Sequence, residues 1–180
     1  SSFHSFDLEL ELARRNLPFI KRGGFKFIET THIKDTLAHL RIIANPQDAV
    51  SWHRVILLLE GIGPKSAEKI LAHTLAGPNQ AQRLAEYPAK GVMGEDLKLL
   101  ATLLAEVNDP DLKPAEQMEA VVRYYLPILK RSHRDDFPKR QKDLEHFIVM
   151  TERYTNLERM LADMALEPPN NSVGDVIAED

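Results

Sequence analysis

The sequence predicts a mainly α-helical domain, built around a pair of helices joined by a glycine turn and preceded by a short α-β segment. Three observations carry this. From Thr31 onward, apolar residues recur three and four positions apart in nearly every segment. Asn, Asp and Pro fall at the ends of these segments, where helices start and stop. β-like alternation occurs in a single stretch, around Gly23-Gly24.

In chain order, "FHSFDLELELARR" places Phe3, Phe6, Leu10 and Ala13 at helical spacing, and Asn16 with Pro18 ends the pattern. Phe19 and Ile20 form a short strand, Gly23-Gly24 a turn, and Phe25 and Phe27 alternate in an extended segment. "THIKDTLAHLRIIANP" carries Ile33, Leu37, Leu40 and Ile43 on one stripe, with Thr31 as N-cap and Asn45-Pro46 as the stop. The next helix starts on a capping Asp48 and runs to Glu60. After the glycine turn, "GEDLKLLATLLAEVN" aligns Leu97, Leu100, Leu104 and Val107. Pro114 opens a helix with Met118, Val121, Val122 and Tyr125 on one face, and Pro127 kinks or ends it. The last long pattern, from "RQKDLEHF" to "LADMAL", runs Leu144, Phe147, Ile148, Tyr154, Leu157, Leu161 and Met164. The tail "EPPNNSVGDVIAED" has the composition of a linker.

At 180 residues the chain is long enough for one well-buried core. Its formal charge of -4 argues against a strongly basic nucleic-acid coat, but leaves room for a few well-placed phosphate contacts. Cysteine is absent, which excludes disulfides, thiolate zinc sites and a cysteine nucleophile, and fits a cytoplasmic setting. No apolar run reaches the length of a membrane span. The seven histidines show no ligand-like pairing, so no metal site is expected. Trp52 and Tyr124-Tyr125 sit on helical patterns, where core packing is the default over base stacking. The cluster "KRSHRDDFPKRQK" reads as a solvated loop whose Asp135 and Asp136 offset its cations. "RRNLPFIKRGGFK", from Arg14 to Lys26, carries five cations and no acid.

The most informative stretch is "LLLEGIGPKSAEKILAH". Glycine allows left-handed backbone angles and close approach of another backbone. Ile62 between Gly61 and Gly63 can lock the flanking helices together, and Pro64 suits a first helical position. The N–H groups of Gly61, Gly63, Lys65 and Ser66 would then face one spot at a helix N-terminus, which favours an anion. Lys65 adds charge and Ser66 a hydroxyl donor. Leu58, Gly61, Ile62, Gly63, Ala67, Ile70 and Leu71 resemble the helix-hairpin-helix motif, spanning residues 52–73, which holds a DNA backbone without reading base sequence. A packing-only turn is the alternative. A base-excision glycosylase is disfavoured, because no Asp follows the hairpin before Asp96.

A second stretch precedes the turn at a fixed distance. Gly23, Gly24, Phe27, Glu29, Ile33, Lys34, Asp35, Leu40, Arg41, Asn45, Pro46 and Asp48 follow the pattern of the UvrD/PcrA/Rep group of superfamily 1 DNA helicases, and Gly61-Ile62-Gly63 falls where that group carries "RGIG". The resemblance is strong through Lys69. It implies a helical 2B subdomain (residues 29–165), flanked by residues 1–28 from the RecA-like domain 2A and by residues 166–180 leading back to it. The family's Arg before "GIG" is Glu60 here, a carboxylate that is unfavourable beside a phosphate.

The resemblance further implies a parent that is an ATP-dependent 3′–5′ DNA helicase, cytoplasmic and acting in repair or replication, in which this subdomain contacts duplex DNA and regulates unwinding. The chain itself has no GxxxxGK[ST] loop and no acidic Mg²⁺-binding motif, so ATP and Mg²⁺ would belong to the parent's other domains. No catalytic residue and no cofactor is therefore expected in this chain, which alone should be inactive. Its expected partners are DNA, as duplex or single-strand/duplex junction without sequence preference, and the remaining helicase domains. A protein-interaction module with a purely structural hairpin is the alternative from another class, and an independent nuclease or glycosylase accessory domain a third.

Overall fold

A computed structural model of the chain describes residues 27–165. Among these residues the fold is helical throughout: α1 (Thr31–Ala44), α2 (Ala49–Leu57), α3 (Pro64–Leu75), α4 (Gln80–Ala85), α5 (Gly91–Val107), α6 (Pro114–Ser132), α7 (Phe137–Thr151) and α8 (Leu157–Met164). Gly23, Gly24, the basic run Arg14–Lys26, the first helix, the short strand and the linker tail lie outside the described residues.

α1 is the axis of the body. It packs against α2, α5, α6, α7 and α8, and nine of its fourteen residues are buried. A helix covered on so many sides cannot keep all its polar residues at the surface. Thr31 and Lys34 stay exposed, but His32, Asp35, Thr36 and His39 are buried. Each must find a partner or lose hydration without compensation. Thr36 donates to its own helix at the Ile33 carbonyl (2.8 Å). Asp35 accepts from Arg54 Nε of α2 (2.8 Å) and from the Tyr125 hydroxyl of α6 (2.5 Å), joining three helices through one carboxylate. His32 lies between Asp143 (Nε2 to Oδ2, 2.8 Å) and Arg140 (Nη1 to Nδ1, 3.1 Å), both on α7. Because Arg140 can only donate, Nδ1 accepts and Nε2 carries the proton donated to Asp143.

Around this axis the apolar stripes meet in one core. Ile33, Leu40, Trp52, Ile56, Ile70, Leu97, Leu100, Met118, Tyr125, Leu129 and Phe147 are essentially inaccessible to solvent. Trp52 is thus a core residue, its indole N–H donating to the Pro46 carbonyl (2.9 Å). Helix ends are tied across elements. Gln117 of α6 donates to the Val107 carbonyl that ends α5 (2.9 Å). Arg83 Nε of α4 donates to the His73 carbonyl (3.0 Å), and the His73 ring bonds the Arg83 carbonyl in return (2.8 Å). Ile28 and Ala165, near the two ends of the described body, line one groove together with Glu29, Lys34, Arg41 and Asp48.

Several local expectations change. Phe27 is not extended. Its carbonyl accepts from the backbone N–H of Thr30 (3.2 Å) and from the Thr30 hydroxyl (2.6 Å), closing a helical turn that seats its ring 6.3 Å from Phe147. The N-cap position of α1 is consequently Thr30, not Thr31. Asp48 caps α2 as expected, accepting from Ser51 N–H (3.0 Å) and Oγ (2.8 Å). α5 starts earlier, at Gly91, and α6 continues through Pro127 to Ser132. The last long pattern is two helices, because Asn156 caps α8 by accepting from Arg159 N–H (2.8 Å) and interrupts the run. Half of the "solvated loop" is the first turn and a half of α7, opened by Phe137-Pro138.

Two stability predictions follow from the buried polar groups of α1. Asp35→Ala leaves Tyr125 without an acceptor and Arg54 without a counter-ion. It should cost roughly 3 kcal/mol in urea unfolding, with a double-mutant cycle against Tyr125→Phe showing coupling of about 1 kcal/mol or more. Burial holds His39 well below the usual histidine range, at about 4, despite its bond to the Asp35 carbonyl (2.6 Å). The folded state therefore keeps this ring neutral, while the unfolded chain takes up a proton near pH 6.5. The stabilisation is complete above about pH 6.5 and declines as pH falls towards 4, by on the order of 3 kcal/mol. Urea midpoints measured from pH 7 down to 4.5 should fall steadily, and the fall should be shallower in His39→Leu.

Candidate nucleic-acid interface

The candidate interface is the turn between α2 and α3. α2 ends by tightening: Leu58 N–H reaches the Val55 carbonyl (3.2 Å) and Leu59 N–H the Ile56 carbonyl (3.1 Å), three-residue steps that turn the chain sharply. Leu59 and Ile62 are buried on the inner side of the turn, and Ile62 N–H closes back on the Leu59 carbonyl (3.4 Å). On the first turn of α3, Ala67 has no accessible surface, which lets α2 and α3 approach closely, and Ile70 completes the inner face. The outer side is polar backbone. Glu60, Gly61, Gly63, Pro64 and Lys65 are exposed and Ser66 is half-buried.

The two glycines differ in what the fold asks of them. Gly61 sits at φ +76, in the left-handed region that a side chain resists. Gly63 has φ -91 and ψ 178, extended backbone open to any residue, and a Cβ built there meets nothing within 4 Å. Dihedral strain therefore explains Gly61. At Gly63 the dihedrals demand no glycine, and glycine is only one of several residues that suit an N-cap.

Gly63 is the N-cap of α3 and offers no side-chain cap, Pro64 occupies the first position, and the first turn holds no acid. Among the described residues no hydrogen bond engages the N–H of Gly61, Gly63, Lys65 or Ser66. The turn thus presents unpaired donors at the positive end of a twelve-residue helix, with one lysine cation beside them. Glu60, the residue least suited to an anion site, does not stand alone. Arg131, from the last turn of α6, reaches its Oε2 at 3.5 Å. Both side chains are substantially exposed, so the pair adds little stability, but it offsets the carboxylate charge at the turn.

Of the other motif residues, Ile33 and Asp35 are buried in the core, Phe27 packs on Phe147, and Glu29 and Lys34 line the groove at the ends of the described body. Arg131 was not legible as a site residue, because the sequence places it in a charge cluster far from the turn and only the packing of α6 brings the two together. Among the described residues no group of three or more His, Asp or Glu side chains could hold a metal, and no helix is long and apolar enough to cross a membrane.

Comparison with known proteins agrees with the motif pattern. Residues 2–167 match the family described as UvrD-like helicase C-terminal domain. The chain is 42% identical over 156 residues to the ATP-dependent DNA helicase PcrA of Staphylococcus aureus (strain MRSA252), covering 82% of this chain and 21% of that protein. It is 30% identical over the same length and shares to the ATP-dependent DNA helicase PcrA of Staphylococcus epidermidis (strain ATCC 12228). The chain thus spans about a fifth of the length of the curated relatives it matches. No solved structure matches it.

Replacing Gly61 tests the backbone argument directly. Gly61→Ala should lower stability by about 1 to 2 kcal/mol from φ strain alone, read as a shifted urea midpoint with unchanged slope.

Proposed function

The chain belongs to the UvrD-like helicase C-terminal domain family, and on that premise we propose that it is the DNA-contacting, regulatory 2B subdomain of an ATP-dependent 3′–5′ helicase. In this reading α2, the turn and α3 form a helix-hairpin-helix that holds the phosphate backbone of duplex DNA, at or ahead of a single-strand junction. ATP and Mg²⁺ are bound and used by other domains of the parent, and this chain alone neither hydrolyses ATP nor unwinds DNA. The setting is cytoplasmic, and the physiological partners are DNA and those other domains.

Gly63 carries the reading. A glycine with relaxed dihedrals and open space where its side chain would stand is accounted for by something that approaches the backbone from outside. A phosphate oxygen suits the donors present. It can accept from the N–H groups of Gly63, Lys65 and Ser66, be balanced by the Lys65 ammonium, and lie on the positive end of α3. Such contacts touch the backbone of DNA alone and give binding without base preference. The regulatory part of the proposal is that moving this grip relative to the motor domains changes how the duplex is presented for unwinding.

Fluorescence anisotropy of the 180-residue chain on duplex DNA across a salt series tests the grip. Two or three phosphate contacts predict a log-log salt slope of roughly -2 to -3. Gly63→Ala should weaken binding about tenfold while lowering stability by no more than about 0.5 to 1 kcal/mol, the cost of a poorer N-cap. Gly63→Ser should keep stability and still weaken binding. Equal binding by wild type and Gly63→Ala would make the turn a packing device and favour the protein-interaction reading.

A further inference from the structure

The α6–α7 corner carries a second charged feature that the turn does not use. Pro127, Lys130, Arg131, Arg134, Phe137 and Pro138 line a half-open groove of about 720 Å³. Three of these six residues are cations and none is an acid. The two carboxylates that the sequence sets beside them do not line the groove: Asp136 is engaged by Arg140 Nε of α7 (2.9 Å), and Asp135 points its charge into no ion pair among the described residues. Lys130 and Arg134 likewise have no carboxylate partner there, and Lys130 instead lies 5.9 Å over the Phe137 ring. The walls are apolar, and Pro127 adds no N–H to them. The groove also adjoins the turn, because Arg131 lines it and at the same time pairs with Glu60.

Unpaired cations held on apolar walls have a strong attraction for a polyanion whose charges alternate with apolar sugars. We propose that this groove is a second DNA contact, in which Lys130 and Arg134 each neutralise a phosphate of the strand that leaves the turn, and Phe137 with the two prolines covers the sugars between them. Arg131 is the joint between the two contacts. It balances Glu60 when the surface is empty, and turns towards the incoming strand when a phosphate competes with the carboxylate. The occupant is a nucleic-acid strand, because the cations stand beside an aromatic ring and two prolines that suit sugars, and Arg131 makes the groove continuous with the glycine turn. This rests on the reading that the chain meets DNA, and it enlarges the footprint of that grip from one helix N-terminus to two elements.

The test is anisotropy on a duplex with a single-stranded 3′ tail across a salt series, comparing wild type, Gly63→Ala and the pair Lys130→Ala/Arg134→Ala in the 180-residue chain. Both cations are exposed, so the pair should keep the wild-type urea midpoint. With both contacts the wild-type salt slope on this tailed substrate should be roughly -4 to -5. The alanine pair should bind about tenfold more weakly and lower the magnitude of that slope by about 2, one unit for each phosphate lost. The charge-preserving pair Lys130→Arg/Arg134→Lys should bind like wild type. Weakening in both Gly63→Ala and the alanine pair supports both contacts. Weakening in the alanine pair alone upholds the groove and overturns the turn as a grip. Weakening in Gly63→Ala alone overturns the groove, and unchanged binding in both overturns the two together.

Discussion

The buried carboxylate of Asp35 is the constraint on which the rest of the arrangement depends. It lies on the helix that most of the body surrounds, and it is satisfied only when α2 and α6 bring Arg54 and Tyr125 to it together. Apolar packing tolerates small rotations of one helix against another. A carboxylate with two directional donors from different helices does not. The relative setting of α2 and α6 is therefore held by hydrogen-bond geometry as well as by volume. That setting has a consequence at the surface. α2 leads into the glycine turn and α6 carries Arg131 in its last turn, so the helices whose stems Asp35 joins are the ones whose far ends meet at Glu60.

Much of this was legible in the sequence. The core stripes of α1, α5 and α6 follow from helical spacing alone, and Asp48 and Pro114 mark helix starts because capping and the missing proline N–H act locally. The glycine turn was legible for the same reason: its backbone, its inward isoleucine and its uncapped helix are all determined within a dozen residues. The misses share a different cause. The run from Gln141 to Met164 keeps one apolar periodicity across a break, and only the side chain of Asn156, bonding its own helix, shows where the second helix begins. Phe27 alternates like a strand residue but is drawn into a turn by its ring contact with Phe147, a residue distant in sequence. Asp35 could be read as a motif position, but not as a buried hub, because its partners lie on two other helices. Arg131 belongs to the same class.

Charge tells a similar story. The net charge of -4 describes the whole chain and conceals its distribution. Asp136 is turned along α7 to Arg140, which leaves neighbouring cations on the α6–α7 corner without the compensation that the sequence order suggests. Glu60, in contrast, gains a cation that the sequence gives no reason to expect. Local electrostatics at both places are set by which helix faces which, and an acidic protein can present a basic surface where it is needed.

The groove shared by Ile28 and Ala165 has a consequence for the connectivity of the fold. Ile28 and Ala165 lie near opposite ends of the described sequence, so a short bridge between them would close the described body into a ring at little cost in chain entropy.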